Sequence, residues 1–428
     1  MDLVKSLPHP EEILALLKFK TIGCSTVNTK LNLKKMDPDM RRCFEYLKMT
    51  SRSFCAVIMA LDEDLRYGVC IYYLVLRALD TVEDDMTIAL DTKCALLETF
   101  YQKLNVVGWN FNNSKEKDRM VLDNFQIISS EFRKLSPAFQ QIISGSCRDM
   151  GSGMAQFLKR KVIDSMTEWD EYCHYVAGLV GIGLSRLFVA SGLEEPIVGS
   201  DERLANSMGL FLQKTNIIRD FQEDTVQDRL FWPREAWIKY GASQKSLLSP
   251  SNMHNSVACL NELVTNAIQH IPDVLTYLGR LKNQSVFNFC AIPQMMAIAT
   301  LERCYNNPDV FRMNVKIRKG EAVLMIGNST SIELVKEFMD KYCLSIARKV
   351  PENDRNASAT RVALQAGLRN KGGAVVVHSF LGIPRDGIFY GLILLMGWKY
   401  YLWIKDVKPT FLSSFIPRRW AYSLPDSR

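Results

Sequence analysis

The sequence lacks the usual marks of zinc sites, disulfide frameworks and Rossmann cofactor sites. Its eleven cysteines contain no C-x-x-C pair, and its five histidines form no H-E-x-x-H motif. A zinc site is therefore not expected, and the odd number of scattered cysteines favours a reduced, cytosol-facing chain. In GLVGIG at 178–183 the glycines stand in the wrong order for G-x-G-x-x-G, so we interpret them as small residues that allow close helix packing.

Signals for import, for β-strands and for nucleic-acid binding are equally scarce. Residues 1–20 lack the charged start and apolar middle of a signal peptide and carry three acids, which disfavours organelle import. Period-two alternation is confined to the short basic stretch MNVKIRKGEAV at 313–323. No basic block with interleaved aromatic residues appears in the body of the chain, so nucleic acid is not an expected partner.

Apolar residues at helical spacing run through most of the chain. The pattern predicts helices over 37–61, 65–84, 93–104, 119–134, 137–160, 167–192, 202–224 and 255–306, the last interrupted near Pro272. We therefore expect an all-α fold with a single large helical domain over residues 1–345, in which roughly the first 30 residues are peripheral.

The composition changes beyond residue 345. Residues 346–387 predict a polar linker, the apolar run at 388–404 a membrane-anchor helix, and residues 405–428 a basic tail. Residues 371–428 contain eight Lys or Arg and three Asp or Glu, which suits an anionic membrane surface. Lys399 lies off-centre in the span and can snorkel to the interface, although a peripheral amphipathic helix remains the alternative.

Two stretches of the chain share the spelling D-x-x-E-D, and each has an arginine close by. They are LRALDTVEDD at 76–85 and NIIRDFQEDTVQDR at 216–229. On a helix the three acids of each motif share one face. Two carboxylates 6 Å apart repel by roughly 3 kcal/mol at a dielectric near 20, so a partly buried cluster needs a cation. Magnesium held jointly by carboxylates and substrate phosphates fits this pattern, and solvated acidic helix ends are the alternative.

A polar stripe precedes the second motif. Gln213, Asn216, Asp220 and Asp224 recur at spacings of three, four and four in an otherwise apolar segment. Inside a helical bundle such a stripe favours the lining of a cavity, and a buried hydrogen-bond network is the alternative.

Several long blocks of the chain closely resemble the squalene synthase family, the farnesyl-diphosphate farnesyltransferases. The blocks are YYLVLRALDTVEDD at 72–85, YCHYVAGLVGIGLSRLF at 172–188, NSMGLFLQKTNIIRDFQED at 206–224, FWP at 231–233 and FNFCAIPQMMAIATL at 287–301. The resemblance runs in register from about residue 30 to residue 345.

The resemblance implies two reactions in one central channel. Two farnesyl diphosphates would join head-to-head into presqualene diphosphate, which NADPH would then reduce to squalene, the first committed step of sterol biosynthesis. It also implies Mg²⁺, with Mn²⁺ as an alternative, and a catalytic domain on the cytosolic face of the endoplasmic reticulum membrane. Since no stretch marks a large exposed dimer face, we expect a monomer.

The resemblance also assigns roles by position. The implied metal ligands are Asp80, Glu83, Asp84, Asp220, Glu223 and Asp224, of which the four aspartates act in catalysis together with Tyr172. The implied diphosphate- or NADPH-binding residues are Arg52, Arg77, Arg219, Lys316 and Arg318. The implied channel lining is Ser53, Phe54, Val69, Tyr73, Leu76, Val176, Ala177, Leu212, Gln213, Asn216, Phe289, Cys290 and Pro293.

Three other functions agree less well with the sequence. Phytoene and dehydrosqualene synthases share the acidic motifs but do not perform the same reduction; the K-I-R stretch at 316–318, the membrane-like tail and the lack of a transit peptide favour squalene. A non-catalytic membrane-tethered protein would have a defective site, yet all six motif carboxylates and Tyr172 are present. Neither acidic stretch has the spacing of a Ca²⁺-binding loop.

Overall fold

The computed structural model describes residues 9–22, 36–62, 64–160 and 162–368, without the side chains of 18–22, 52 and 53. These residues form helices and no strand, which confirms the all-α prediction. The elements of the first half are α1 (Pro10–Ile22), α2 (Pro38–Thr50), α3 (Arg52–Met59), α4 (Leu65–Asp84), α5 (Leu90–Lys103), α6 (Met120–Asp123), α7 (Phe125–Lys134), α8 (Pro137–Arg160), α9 (Met166–Cys173), a π-helical turn (His174–Gly178) and α10 (Leu179–Ala190).

The second half continues in the same way. Its elements are α11 (Pro196–Ser200), α12 (Glu202–Arg219), α13 (Phe221–Val226), α14 (Arg234–Trp237), 3₁₀ turns at Gln244–Leu248 and Pro250–Asn252, α15 (Met253–Ile268), α16 (Ile271–Leu278), α17 (Gln284–Cys304), a 3₁₀ turn at Pro308–Phe311, α18 (Lys319–Asn328), α19 (Ile332–Lys349) and α20 (Ala357–Gly367).

Helices α4, α12 and α17 form the centre of the core, and each buries most of its apolar residues. In α4 the side chains of Leu74, Val75 and Leu79 are fully buried, and α17 keeps its helical path through Pro293. Each large apolar side chain moved out of water contributes roughly 1.5–3 kcal/mol to the stability of the fold. These helices therefore form the stable scaffold that holds the polar residues in place.

Glycines bring α10 and the π-helical turn close to α12. A Cβ on Gly209 would lie 2.2 Å from the carbonyl oxygen of Ala177, and one on Gly181 would lie 2.3 Å from that of Ala205. Any larger residue at these positions would force the helices apart. The packing interpretation of GLVGIG is therefore confirmed.

Several helices are shorter than their apolar pattern predicts. The predicted helix 37–61 ends and restarts at Ser51, whose hydroxyl caps α3 by accepting the N–H of Phe54 at 3.3 Å. The predicted helix 202–224 breaks at Asp220, and 255–306 forms three helices instead of two. Periodicity does not mark such breaks; at Ser51 and at Asn283 a capping side chain sets the start of the next helix.

The structure also differs from the predicted linker in its first part. Helix α19 continues to Lys349, and α20 buries Ala363 and Leu364 while Thr360 shares a 2.7 Å hydrogen bond with Thr265 of α15. The polar composition there belongs to the exposed face of an amphipathic helix. Residues 369–387 of the predicted linker, the predicted anchor 388–404 and the basic tail 405–428 lie outside the described residues.

Within the described residues, one helical stretch, Met166–Ala190, is long and apolar enough to cross a membrane. It contributes Trp169, Leu187 and Phe188 to the core, where all three are fully buried. We therefore interpret it as a core helix.

Candidate active site

The first acidic motif lies on the last turns of α4. Asp80, Glu83 and Asp84 are partly buried there, and Arg77 approaches Asp80 at 3.5 Å. Burial raises the pKa of Asp80 to about 6, against the lowering effect of Arg77 and with a further increase from Asp84. Burial followed by the charge of Asp84 raises the pKa of Glu83 to about 8. A bound cation would relieve this crowding.

The fourth acid of this stretch, Asp85, has a separate structural role. It accepts hydrogen bonds from the N–H and hydroxyl of Thr87 at 2.8 and 2.6 Å, from the hydroxyl of Ser114 at 2.7 Å and from the N–H of Lys115 at 2.8 Å. Burial by itself would raise the pKa of Asp85. The hydrogen bonds together have the larger effect and hold this pKa well below its usual range. Asp85 therefore anchors the loop around residue 114 to the end of α4.

The second acidic motif straddles the break between α12 and α13. Arg219 donates to both oxygens of Asp220 at 2.8 and 2.5 Å, and Asn314 donates to it at 2.6 Å. Asp224 is buried on α13, where burial raises its pKa to about 6 against the lowering effect of Arg229. Glu223 is exposed.

One arginine links the two motifs. Arg229 donates from Nη1 to Oδ1 of Asp84 at 2.6 Å and from Nη2 to Oδ1 of Asp224 at 2.7 Å. The bridge places the acidic ends of α4 and α13 on opposite sides of a single guanidinium. The structure therefore brings the two motifs together.

Tyr172 lies beside this bridge. Its ring is stacked on Phe231 at 5.2 Å and meets Phe157 edge-on at 5.3 Å, while the Cζ of Arg229 lies 5.9 Å from the Phe231 ring. Burial and then the charge of Glu83 raise the pKa of Tyr172 well above its ordinary value of 10. The phenol is therefore protonated at neutral pH.

The predicted channel residues occupy the helices around the motifs. The rings of Phe54 and Tyr73 lie 6.0 Å apart, and Tyr73 accepts a 3.1 Å hydrogen bond from Arg77. Phe289 meets Phe188 edge-on at 6.0 Å. Val69, Leu76 and Cys290 are buried; Val176, Ala177, Leu212, Gln213 and Pro293 are partly exposed. The side chains of Arg52 and Ser53 lie outside the described residues.

Two observations favour a cavity along the polar stripe. Asn216 is exposed and Gln213 partly so, which a buried hydrogen-bond network would not permit. Val176 and Ala177 belong to the π-helical turn, a rare element that occurs frequently at functional sites. The exposure of Asn216 therefore argues against the buried-network alternative, and the cavity stays a prediction.

The predicted basic residues do not all gather at one point. Arg77 and Arg219 lie at the two acidic motifs, and Lys316 is exposed on the segment that follows Asn314. Arg318 instead donates from Nε to Oε1 of Glu12 at 2.8 Å, at the junction of α1 and α18. The structure thus brings two of these residues to the carboxylates and engages Arg318 elsewhere.

The chemistry of the donors suits a divalent cation. Among the described residues, the one trio of acidic side chains with oxygens within 4.8 Å of one another is Asp37, Asp39 and Glu131, away from both motifs and paired with Lys134. No three of the described motif carboxylates lie that close together. This spacing still fits Mg²⁺, which uses one or two carboxylates and completes its shell with water and phosphate oxygens.

Sequence reasoning missed three residues of the site. Arg229 and Phe231 follow the second motif closely, and Asn314 precedes the K-I-R stretch. The QDRLFWP segment at 227–233 offered two signals, its place after the motif and the FWP block of the family resemblance, but nothing in its composition shows that it folds back onto α4.

The comparisons with known proteins agree with this geometry. Residues 47–321 match the family described as squalene/phytoene synthase. The chain is similar to the squalene synthase of Homo sapiens, with 49% identity over 97% of this chain and 99% of the relative, and to that of Rattus norvegicus, with 54% identity over 84% and 86%. It also resembles the solved complex of TcSQS with the ligand BPH1237, with 42% identity and a TM-score of 0.76 over 78% of this chain and 98% of that one.

The matched region contains both acidic motifs, Tyr172 and Arg229. Each pairwise match covers more than three quarters of both chains, so the likeness is not confined to one motif. The chain therefore belongs to the squalene synthases of the squalene/phytoene synthase family.

Proposed function

We propose that this squalene synthase condenses two farnesyl diphosphates head-to-head into presqualene diphosphate and then reduces that intermediate to squalene with NADPH. The observation that carries the proposal is the meeting of Asp84 and Asp224 across Arg229, beside the buried Tyr172. Acidic groups, a guanidinium and a protonated phenol at one point suit the departure of a diphosphate.

The two acidic motifs would hold Mg²⁺, with Mn²⁺ as an alternative. The proposed ligands are Asp80, Glu83, Asp84, Asp220, Glu223 and Asp224. When bound, the metal would supply positive charge to the leaving diphosphate. The orientation of these ligands comes from the chain, because Arg219 and Asn314 hold Asp220 and the last turns of α4 present the first motif.

The remaining groups bind, protect and move a proton. Tyr172, kept protonated by burial, can donate its phenolic proton to a departing diphosphate oxygen. The aromatic faces of Phe54, Tyr73 and Phe289 can stabilise a carbocation without reacting with it, and the apolar lining excludes water.

Arg77, Arg219, Lys316 and Arg318, with Arg52, would bind either the substrate diphosphate or the phosphates of NADPH. Cationic side chains on several helices suit a phosphate-bearing reductant held without a Rossmann fold. Arg318 must first leave or share its contact with Glu12.

We further propose that the enzyme is a monomer on the endoplasmic reticulum membrane, with its catalytic domain towards the cytosol and residues 388–404 as its anchor. The support is the apolar run and the basic tail of the sequence.

Product analysis tests the proposal. Full-length protein in detergent is incubated with farnesyl diphosphate and Mg²⁺, with and without NADPH, and the extract is identified by mass. We expect squalene only with NADPH and presqualene diphosphate without it. A product that does not depend on NADPH would place the chemistry with the phytoene and dehydrosqualene synthases instead.

A further inference from the structure

Arg229 bridges Asp84 and Asp224, two of the proposed metal ligands. Its two terminal nitrogens donate to Asp84 and Asp224 at 2.6 and 2.7 Å. Its Nε is buried without a hydrogen-bond partner, and the Phe231 ring lies 5.9 Å from its Cζ. The hydrogen bonds to the two carboxylates are therefore the main contacts that position the guanidinium.

A divalent cation and Arg229 compete for the same groups. Each of the two aspartates already uses its Oδ1 to accept from the guanidinium. A cation that takes these carboxylates as ligands must displace those bonds and would stand next to a second positive charge. Loading of the site by metal therefore requires Arg229 to give up at least part of its bridge.

A diphosphate offers the displaced arginine a new partner. The planar guanidinium donates in a fork that matches phosphate oxygens as well as carboxylates. The flanking Phe231 ring limits the directions in which the side chain can turn. An arginine released at this position remains beside the place where a metal-bound diphosphate would lie.

We propose that Arg229 is an exchangeable counter-cation, which holds the two acidic motifs together in the metal-free protein, releases Asp84 and Asp224 to divalent cations, and then binds the substrate diphosphate. This inference rests on the proposed function of the motifs as a metal and diphosphate site. It makes metal and diphosphate binding cooperative, because the cation alone must displace Arg229 whereas the pair gives it a new partner.

The test measures binding and stability of the full chain in detergent, with Mn²⁺ as the metal probe and inorganic pyrophosphate as the diphosphate probe. Arg229→Gln removes the charge, and Arg229→Lys keeps it but cannot bridge both carboxylates with a fork. Arg280→Gln is the matched control, because Arg280 forms a comparable 2.7 Å pair with Asp201 outside the site. Free Mn²⁺ is followed by electron paramagnetic resonance and unfolding by a thermal shift.

We expect Arg229→Gln to bind Mn²⁺ alone about fivefold or more tightly than wild type, and to bind pyrophosphate with Mn²⁺ roughly tenfold more weakly. Its melting temperature should fall without metal and recover with Mn²⁺, whereas Arg280→Gln should show the same deficit in both conditions. Arg229→Lys should also bind Mn²⁺ alone more tightly than wild type. This variant tests the proposal if Arg229→Gln does not fold.

Equal or weaker Mn²⁺ binding by both Arg229 variants, with wild-type protein still binding Mn²⁺ and pyrophosphate together, would overturn this inference and leave the proposed function standing. A melting-temperature deficit that Mn²⁺ does not repair would likewise make Arg229 a structural residue only. If no variant and no wild-type protein bound Mn²⁺ with or without pyrophosphate, both proposals would be wrong.

Discussion

Asp84 accepts a 2.6 Å hydrogen bond from Arg229, a residue 145 positions further along the chain. The same guanidinium holds Asp224, so the contact fixes the distance between α4, which carries the first motif, and α13, which carries the end of the second. The chemistry proposed for the site depends on this relationship, because neither motif alone surrounds a diphosphate.

The first prediction concerns Asp84. Asp84→Asn keeps an acceptor for Arg229 but removes a charged metal ligand, so we expect turnover to fall roughly 10²–10³-fold. Asp228→Asn is the control, since Asp228 is exposed, pairs only at the surface with Lys245, and has a φ of 62° that asparagine tolerates. Steady-state rates at saturating Mg²⁺ measure the effect; equal rates for the two variants would contradict the assignment.

The second prediction concerns the phenol of Tyr172. Tyr172→Phe retains the stack on Phe231 but loses the proton, so turnover should fall roughly 10²–10⁴-fold while the melting temperature stays close to that of wild type. Tyr175→Phe, one turn along the same helical stretch, should keep most of the activity. A Tyr172→Phe enzyme that forms presqualene diphosphate at the wild-type rate would exclude this role.

The third prediction concerns pH and stability. His270 contacts the buried Lys214 at 3.0 Å, and burial followed by the charge of Lys214 lowers its pKa from 6.5 to about 3. Between these values the unfolded chain binds a proton that the folded protein does not, so stability falls as pH decreases below 6.5. Uptake of one proton by the unfolded chain changes the free energy of unfolding by at most about 1.36 kcal/mol per pH unit. About 1–2 kcal/mol of stability should therefore be lost between pH 7 and 5.

Urea unfolding of His270→Gln should show a weaker pH dependence than wild type by about that amount. His254→Gln, a change at an exposed histidine, should follow wild type. Parallel curves for wild type and His270→Gln would mean that His270 already binds its proton in the folded state.

The fourth prediction concerns the docking of α1 on α18. A Cβ on Gly320 would lie 2.6 Å from the Cβ of Glu12, so Gly320→Ala should separate the helices and weaken the Arg318 to Glu12 pair. Gly327→Ala on the same helix meets nothing within 4 Å and serves as the control. Hydrogen exchange of residues 10–22 should rise in the first variant and stay unchanged in the second; identical exchange would show that α18 yields without undocking α1.

The fifth prediction concerns the carboxy-terminal region. The last described helix, α20, ends at Gly367, and the predicted anchor at 388–404 lies outside the described residues. A fragment that ends at residue 371 should stay in solution without detergent, form squalene at a similar rate and fail to sediment with anionic vesicles that bind the full chain. A folded but inactive fragment would show that the tail does more than anchor.

The sequence predicted where helices form better than it predicted the residues at which they break. Helices 65–84 and 137–160 were predicted with their observed bounds, since their apolar periodicity is long and regular. The break at Ser51 was not, because apolar periodicity does not register a local cap such as the one that Ser51 forms with Phe54. The break at Asp220 was not predicted either, and there the side chain meets a partner, Asn314, that lies far along the chain. Helix α20 was missed because its short apolar face is visible only against α15.

The sequence by itself determined the all-α class, the acidic motifs and the family, because spacing and residue type are local properties that survive without a fold. The tertiary structure decided which charges face one another. It placed Arg229 between Asp84 and Asp224 and paired Arg318 with Glu12. It also gave Asp85 a structural role, in which its carboxylate binds the loop around residue 114. These pairings join residues far apart in the chain, and only the packing of the helices fixes such distances.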